Sequence, residues 1–188
     1  MLNNKRIILA SSSPRRKALM TLLDVDFQIL SPDVDEILDY SLSYEEAITS
    51  LAFKKAHHIF SQNQDAIVLG FDTLVYVDDE ILGKPTSEED VRKMLKLLSG
   101  KPHRVITGCA IVSSEKIIRF YKDAVVSFKT LSDDEIDDYI QTKEPFGKAG
   151  AYAIQGYGAR YIHKIEGDYY AVMGLPVHDV YEKLKDSF

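Results

Sequence analysis

The chain of 188 residues carries 45% hydrophobic and 28% charged side chains, an ordinary composition for a globular protein with a sizeable core. Its formal net charge of -6, with no long Lys/Arg block, excludes a broad nucleic-acid surface, so phosphate binding would have to rest on a local cationic cluster. Cys109 is the single cysteine, which excludes an internal disulfide and fits a reducing compartment. No stretch approaches the ~20 apolar residues of a membrane span, and the run after Met1–Arg6 is too short for a signal peptide. A cytoplasmic protein that touches neither membrane nor nucleic acid is the expectation.

In chain order, strand-like runs rich in Ile, Val, Tyr or Phe fall at Arg6–Ala10, Phe27–Leu30, Ala66–Val77, Arg104–Val112, Lys116–Phe128 and Tyr161–Val172. Helical patterns lie between them. Ser13 followed by Pro14 is a hydroxyl N-cap with proline at the first helical position, predicting a helix over Pro14–Leu23. Ser43-Tyr44-Glu45-Glu46 is a capping box that opens a helix to Ser61. A third helix runs from Ser87 to Ser99, with Val91, Met94, Leu95 and Leu98 on one face and Gly100 at its stop. A second capping box, Ser132-Asp133-Asp134-Glu135, leads into Ile136, Tyr139 and Ile140, and a last helix follows Pro176. Asp78-Asp79 marks a short hairpin, and Ser99–Pro102 reads as a loop. Strands alternating with helices indicate an α/β class, and the adjacent strands from 104 to 128 predict a hairpin and therefore a mixed sheet. No linker or repeat interrupts the chain, so a single domain over 1–188 is expected.

Four places break this pattern. Ser11, Ser12 and Ser13 with Arg15 and Arg16 put hydroxyls and guanidinium groups around a helix start that follows a strand, which is either a phosphate cradle or a plain capped helix. Lys55 lies within about 40° of the apolar stripe formed by Tyr44, Ile48, Leu51 and Ile59. A lysine there either snorkels to solvent or meets an anion. Asp72 stands inside the apolar run 66–77. It either bonds a nearby backbone N–H or lies at a strand end or bulge, holding a metal or a water. Finally, Glu144–Gly158 holds four glycines around Lys148 and Gln155, implying tight backbone, and the Gln155 amide can both donate and accept as the edge of a base requires.

Asp33, Asp35 and Glu36 are either solvated loop charge or, if one faces Asp72, half of an oxygen site for Mg²⁺ or Mn²⁺. The five histidines show no metal-ligand spacing, and Cys109 reads as a small core residue. Neither a G-x-x-x-x-G-K-[ST] loop, nor a G-x-G-x-x-G after a strand, nor a G-x-S-x-G elbow is present. Several cations, one or two carboxylates and an amide in a glycine-rich loop suit a metal-chelated polyphosphate.

Ser11-Ser12-Ser13-Pro14-Arg15-Arg16, Gly70-Phe71-Asp72-Thr73, Gly83-Lys84-Pro85, Leu98-Ser99-Gly100, Lys148-Ala149-Gly150-Ala151-Tyr152, Ile154-Gln155-Gly156 and Gly174-Leu175-Pro176 occur in that order. Together they resemble the Maf family of nucleotide pyrophosphatases, over about residues 6 to 184. The resemblance implies an elongated mixed α/β sheet flanked by helices, similar to inosine triphosphate pyrophosphatases. It also implies hydrolysis of a nucleoside triphosphate between the α and β phosphates, with a divalent cation, Mg²⁺ or Mn²⁺, as cofactor. Asp72 resembles the family's proton acceptor. Arg15, Thr73 and Gln155 match positions associated with substrate selection. Ser11, Ser13, Arg16, Lys55 and Lys84 match positions lining the phosphates, and Glu36 matches an acidic residue that would join Asp72 on the metal.

The Ala-Tyr-Ala-Ile-Gln-Gly form of the loop resembles the branch acting on dTTP and UTP, with modified pyrimidine triphosphates as further targets in a house-cleaning role. A sister branch acts on 7-methyl-GTP and carries an acidic residue near the position of Gln155. Phe71 departs from the small residue usual there, and either narrows the site or packs behind Asp72. The alternative function is a nucleotide-binding regulator of cell division or septum formation with little turnover. A homodimer is left open.

Overall fold

The computed structural model describes residues 5–188 and places them in a seven-stranded sheet flanked by helices, the expected α/β class. Met1–Asn4, part of the segment weighed as a signal peptide, lie outside the described residues. The elements are β1 (Arg6–Ala10), α1 (Pro14–Met20), β2 (Phe27–Ile29), α2 (Tyr44–Phe60), β3 (Ala66–Val77), β4 (Glu80–Leu82), α3 (Glu88–Leu98), β5 (Pro102–Val112), β6 (Ile117–Phe128), α4 (Asp133–Gln141), β7 (Ile162–Gly167), α5 (Tyr169–Met173) and α6 (Val177–Ser187). Strand order is β2-β1-β3-β5-β6-β7, with β4 paired to β3. Parallel pairs β1–β2 and β1–β3 coexist with antiparallel pairs β3–β4 and β6–β7, so the sheet is mixed. Among the described residues no helix is long and apolar enough to cross a membrane.

The chain forms two compact units. The first comprises the residues up to Thr73, Thr107–Lys122 and Gly174–Phe188; the second comprises Leu74–Ile106 and Asp123–Met173. In the first, β1 sits in register between β2 and β3, with Ile7 opposite both Phe27 and Ile67, and Ala10 opposite Gly70. Ile8, Val68, Ala110 and Val112 pack on Ala52, Ala56 and Ile59 of α2. Burying each larger aliphatic side chain contributes ~1.5–3 kcal/mol. The small residues serve a different end, because they let backbones approach. A Cβ on Gly70 would sit 2.8 Å from the Ala56 Cβ and closer still to the Ala52 carbonyl oxygen, and one on Gly108 would sit 2.5 Å from the Ile48 carbonyl oxygen.

In the second unit, β3 and β4 pair with Val75 opposite Leu82 and Val77 opposite Glu80. Their turn is Asp78-Asp79, both at positive φ (48° and 63°), as a two-residue hairpin of the primed type requires. Val91, Leu95 and Leu98 of α3 join Ile136, Tyr139 and Ile140 of α4 in one core.

Three expectations are corrected. The helix foreseen over 14–23 ends at Met20 and tightens into a 3-10 turn over Thr21–Leu23, closed by Asp24 in the left-handed region. The strand foreseen over 161–172 stops at Gly167, whose φ of 113° no strand continues, and Asp168 then caps α5 by accepting from the amides of Tyr170 (2.7 Å) and Ala171 (3.2 Å). Pro102, read as loop, is the first residue of β5.

Candidate active site

Two charged clusters meet β3 just beyond the point where β1 stops. Successive residues of a strand face opposite sides, and residues 70–73 show it. Gly70 lies under α2, so Asp72 points to the α2 side, whereas Phe71 and Thr73 point the other way. Phe71 is fully buried on the face opposite Asp72, so it packs in the core and does not narrow the surroundings of the carboxylate. β3 runs unbroken through Gly70 and Asp72 as a twelve-residue strand, which corrects the expectation of a strand end or bulge there.

The α2-side cluster is Lys55 with Asp72 and Glu36. The predicted capping box is formed, the Ser43 hydroxyl accepting from the Glu46 amide and Glu46 accepting from the Ser43 amide, which fixes where α2 starts and hence which residues it buries. Lys55 lies on that buried face with only 6% of its side chain exposed, and Nζ is 2.6 Å from Asp72 and 2.5 Å from Glu36. It does not snorkel; it meets two carboxylates. Glu36 arrives from the irregular stretch before α2, which Lys54 ties down by donating to the Asp35 carbonyl at 2.9 Å. Half of the Glu36 side chain remains exposed, against 17% for Asp72.

The opposite face carries Arg16. Its Nε donates to the Gly174 carbonyl at 2.9 Å, Nη2 to Thr73 Oγ1 at 3.1 Å and Nη1 to Ser11 Oγ at 3.5 Å, which uses three of five N–H donors. Thr73 Oγ1 in turn shares a hydrogen bond with Thr107 at 2.8 Å. Burial pushes the Arg16 pKa down, while Asp72, then Cys109 and Glu36, pull it the other way. Burial also lowers Arg15, helped by the neighbouring charge of Arg16. Ser13 caps α1, accepting from the Arg16 amide at 3.4 Å.

The structure therefore gathers Ser11, Arg16 and Thr73 in one cluster and Glu36, Lys55 and Asp72 in the other, with Ser13 and Arg15 at the start of α1. Lys84 and Gln155 belong to the second unit, both exposed, Lys84 after β4 and Gln155 in the turn before Tyr157. Cys109 is fully buried in the core, as its sequence context indicated. Two members of the Arg16 cluster were not among the expected site residues: Gly174, which accepts from Arg16, and Thr107, which bonds Thr73. Thr107 is a fully buried hydroxyl in an apolar strand, the same kind of signal that exposed Asp72. Gly174 acts through its backbone carbonyl, which no residue type advertises.

Two carboxylates converging on one cation are hard oxygen donors, and a small divalent cation is commonly held by one or two carboxylates together with substrate phosphates. Among the described residues there is no group of three or more His, Cys, Asp or Glu that could hold a metal by protein ligands alone. The donor set thus fits a cation completed by a phosphate ligand, with Asp72 and Glu36 as its protein side.

Sheet, helices and paired clusters define a mixed α/β protein with its charged residues gathered where the inner strands outrun β1. The chain belongs to the Maf family, whose model, described as Maf-like protein, matches residues 6–187. It is 47% identical over 181 residues to a Bacillus cereus protein named dTTP/UTP pyrophosphatase, covering 96% of this chain and 95% of that one. A Bacillus mycoides protein of the same name is 46% identical with the same coverage. Among solved structures, the Staphylococcus aureus Ham1 protein matches 98% of this chain and 100% of its own at a TM-score of 0.55 and 13% identity, which bears out the fold.

Proposed function

We propose that this chain hydrolyses dTTP and UTP to the nucleoside monophosphate and pyrophosphate. The relatives named for that activity, at 46–47% identity over nearly the whole length, support the substrate class. The observation that carries the chemistry is the Lys55–Asp72–Glu36 cluster, two carboxylates held by one buried ammonium.

In this reading a water attacks the α-phosphorus in line with the bridging oxygen. The new P–O bond forms as the bond to the β-phosphate oxygen breaks, pyrophosphate leaves with the electron pair, and the water's proton passes to Asp72. Lys55 holds Asp72 in place through the 2.6 Å contact. Arg16, fixed in orientation by Gly174, Thr73 and Ser11, keeps two N–H donors for phosphate oxygens. A divalent cation, Mg²⁺ or Mn²⁺, held by Asp72 and Glu36, would neutralise phosphate charge. Ser11, Ser13 and Lys84 complete the phosphate contacts, and Arg15, Thr73 and Gln155 select the nucleotide; Lys84 and Gln155 enter on their motifs. The family model spans both units, which supports reading the chain as one enzyme. A cytoplasmic house-cleaning role, extending to modified pyrimidine triphosphates, belongs to the same reading and suits the single buried thiol.

The test is release of pyrophosphate from a panel of canonical and modified triphosphates with Mg²⁺ or Mn²⁺. Turnover of dTTP and UTP at least ~10-fold above dCTP and the purine nucleotides is expected. Tight binding with no product across the panel would overturn the enzyme and favour a nucleotide-binding regulator of cell division.

A further inference from the structure

Gln155 sits in a turn whose backbone hangs from one side-chain pair. The Tyr139 hydroxyl donates to Glu144 Oε1 at 2.7 Å and accepts from the Ala153 amide at 3.1 Å. Glu144 Oε1 also accepts from the Gly158 amide at 3.0 Å, and its Oε2 from the Tyr157 amide at 2.9 Å. The chain is thus held two residues before Gln155 and again two and three residues after it. Between these points a Cβ on Gly156 would lie 2.5 Å from Glu144 Cδ, so a larger residue there would push the carboxylate out of this arrangement. Ile154 is buried in the core shared with Tyr139 and Tyr152, which leaves Gln155 facing outward.

A partly buried carboxylate with three donors is more apparatus than a connector needs. Lys148 adds to it, its ammonium donating to the backbone carbonyls of Glu144 (3.0 Å) and Phe146 (3.2 Å). Partial burial pushes the Glu144 pKa up, but the Tyr139 hydroxyl, then the amides of Gly158 and Tyr157, then Lys148 more than offset this and hold it below the ordinary carboxylate range. Tyr139, the deepest member, is fully buried on α4. Its helix starts at a formed capping box, Ser132 with Glu135, so the hydroxyl is presented from a rigid element.

We propose that Glu144, with Tyr139, is a positioning residue for nucleotide selection. Its carboxylate sets the backbone of residues 153–158 so that the Gln155 amide meets the pyrimidine edge in one orientation. The proposal rests on the reading of Gln155 as a base-selecting residue. A merely structural glutamate would lower stability and slow all nucleotides alike, whereas a positioning one changes which nucleotide is accepted.

The experiment compares Glu144→Gln, Tyr139→Phe, Gln155→Ala and the double variant Glu144→Gln/Gln155→Ala, measuring kcat and KM for pyrophosphate release from dTTP, UTP and dCTP. Gln keeps the size of Glu144 but puts an NH2 group against an amide that needs an acceptor. Tyr139→Phe removes only the link to Ala153 and Glu144. For Glu144→Gln, KM for dTTP and UTP rises ~10-fold with kcat within ~3-fold, and preference over dCTP falls in proportion. Tyr139→Phe moves the same way, and decides the matter if Glu144→Gln fails to fold. In the Gln155→Ala background Glu144→Gln adds less than ~2-fold, because both act through one amide. Unchanged preference in Gln155→Ala overturns the base-selecting reading itself. Altered preference there, with Glu144→Gln and Tyr139→Phe changing all three nucleotides equally, overturns the positioning role and leaves that reading standing.

Discussion

Lys55 Nζ lies 2.6 Å from Asp72 across the contact between α2 and β3, seventeen residues apart in sequence and largely closed off from water. The pair exists because Ala52, Ala56 and Gly70 bring helix and strand together with nothing between them. An ammonium so placed fixes the position of the carboxylate proposed to take the water's proton. Asp72→Asn keeps the size and most of the packing but removes the proton acceptor. Steady-state kinetics of pyrophosphate release should show kcat reduced at least ~100-fold with KM changed only a few-fold. Equal turnover by the variant would take Asp72 out of the reaction.

Arg16 is a test of geometry more than of charge. Its three contacts, with Gly174, Thr73 and Ser11, diverge in a plane that a guanidinium fits and a single ammonium cannot. Arg16→Lys keeps the charge but leaves the buried Gly174 carbonyl and the Thr73 hydroxyl short of a donor. A stability loss of about 1–2 kcal/mol is expected from urea unfolding. KM for the triphosphate should rise ~10-fold in the same variant, as oriented phosphate donors are lost. If both quantities match the parent protein, the fork has no role.

The close approach of α2 to β3 predicts a sharp contrast between two glycines of the motifs. Gly70→Ala must displace Ala56, whose Cβ would lie 2.8 Å away, and the backbone of Ala52. Overpacking of this kind costs about 1–3 kcal/mol, and more where backbone has to move. Gly83→Ala meets nothing within 4 Å, so the same single methyl should leave the urea midpoint within error. Gly70→Ala should lose activity as well, because any shift of α2 carries Lys55 away from Asp72. A Gly70→Ala protein of full stability and activity would mean that the helix–strand distance does not set the cluster.

The two centres of the α2-side cluster were legible because they violate a pattern. Lys55 interrupts an apolar helical stripe and Asp72 an apolar strand, and each violation has the other as its explanation. From the residues alone Glu36 was one of three acidic candidates, and only the family resemblance singled it out, since the stretch that carries it has no periodicity and its direction is set by tertiary contacts such as Lys54 to the Asp35 carbonyl. Ser11 and Thr73 were expected near the site, but that they and Gly174 converge on Arg16 was illegible for another reason. One acceptor is a backbone carbonyl 158 residues further along the chain, and a residue type does not say which guanidinium a carbonyl or hydroxyl will meet. Around Gly167, a run rich in Tyr, Ile and Val reads as one strand, and only the positive φ of the glycine and the Asp168 cap divide it. Residues 14–23 kept their helical pattern past Met20, where the backbone had already tightened.

His103 gives the fold a pH dependence with a definite sign. The ring is 3% exposed, packed edge-on between Phe128 and Tyr152, with Nε2 2.8 Å from the Tyr152 hydroxyl and, among the described residues, no partner for Nδ1. Protonation would bury a charge and an N–H without an acceptor, and burial pushes the pKa down from 6.5 to about 4. Above pH 6.5 the ring is neutral in folded and unfolded chains alike, and the depressed pKa costs nothing. As pH falls below 6.5 the unfolded chain takes up a proton that the folded chain refuses, so stability is lost progressively down to about pH 4. Carboxylates with lowered values, Glu144 among them, add their own loss only further down, as pH falls through and below the ordinary carboxylate range. The window from pH 6.5 to 5 therefore isolates the histidine, with an expected loss of about 2 kcal/mol by urea unfolding. His103→Gln keeps a polar contact to Tyr152 but cannot titrate, and should remove most of that slope whatever its effect at neutral pH. An unchanged slope in the variant would assign the dependence to other groups.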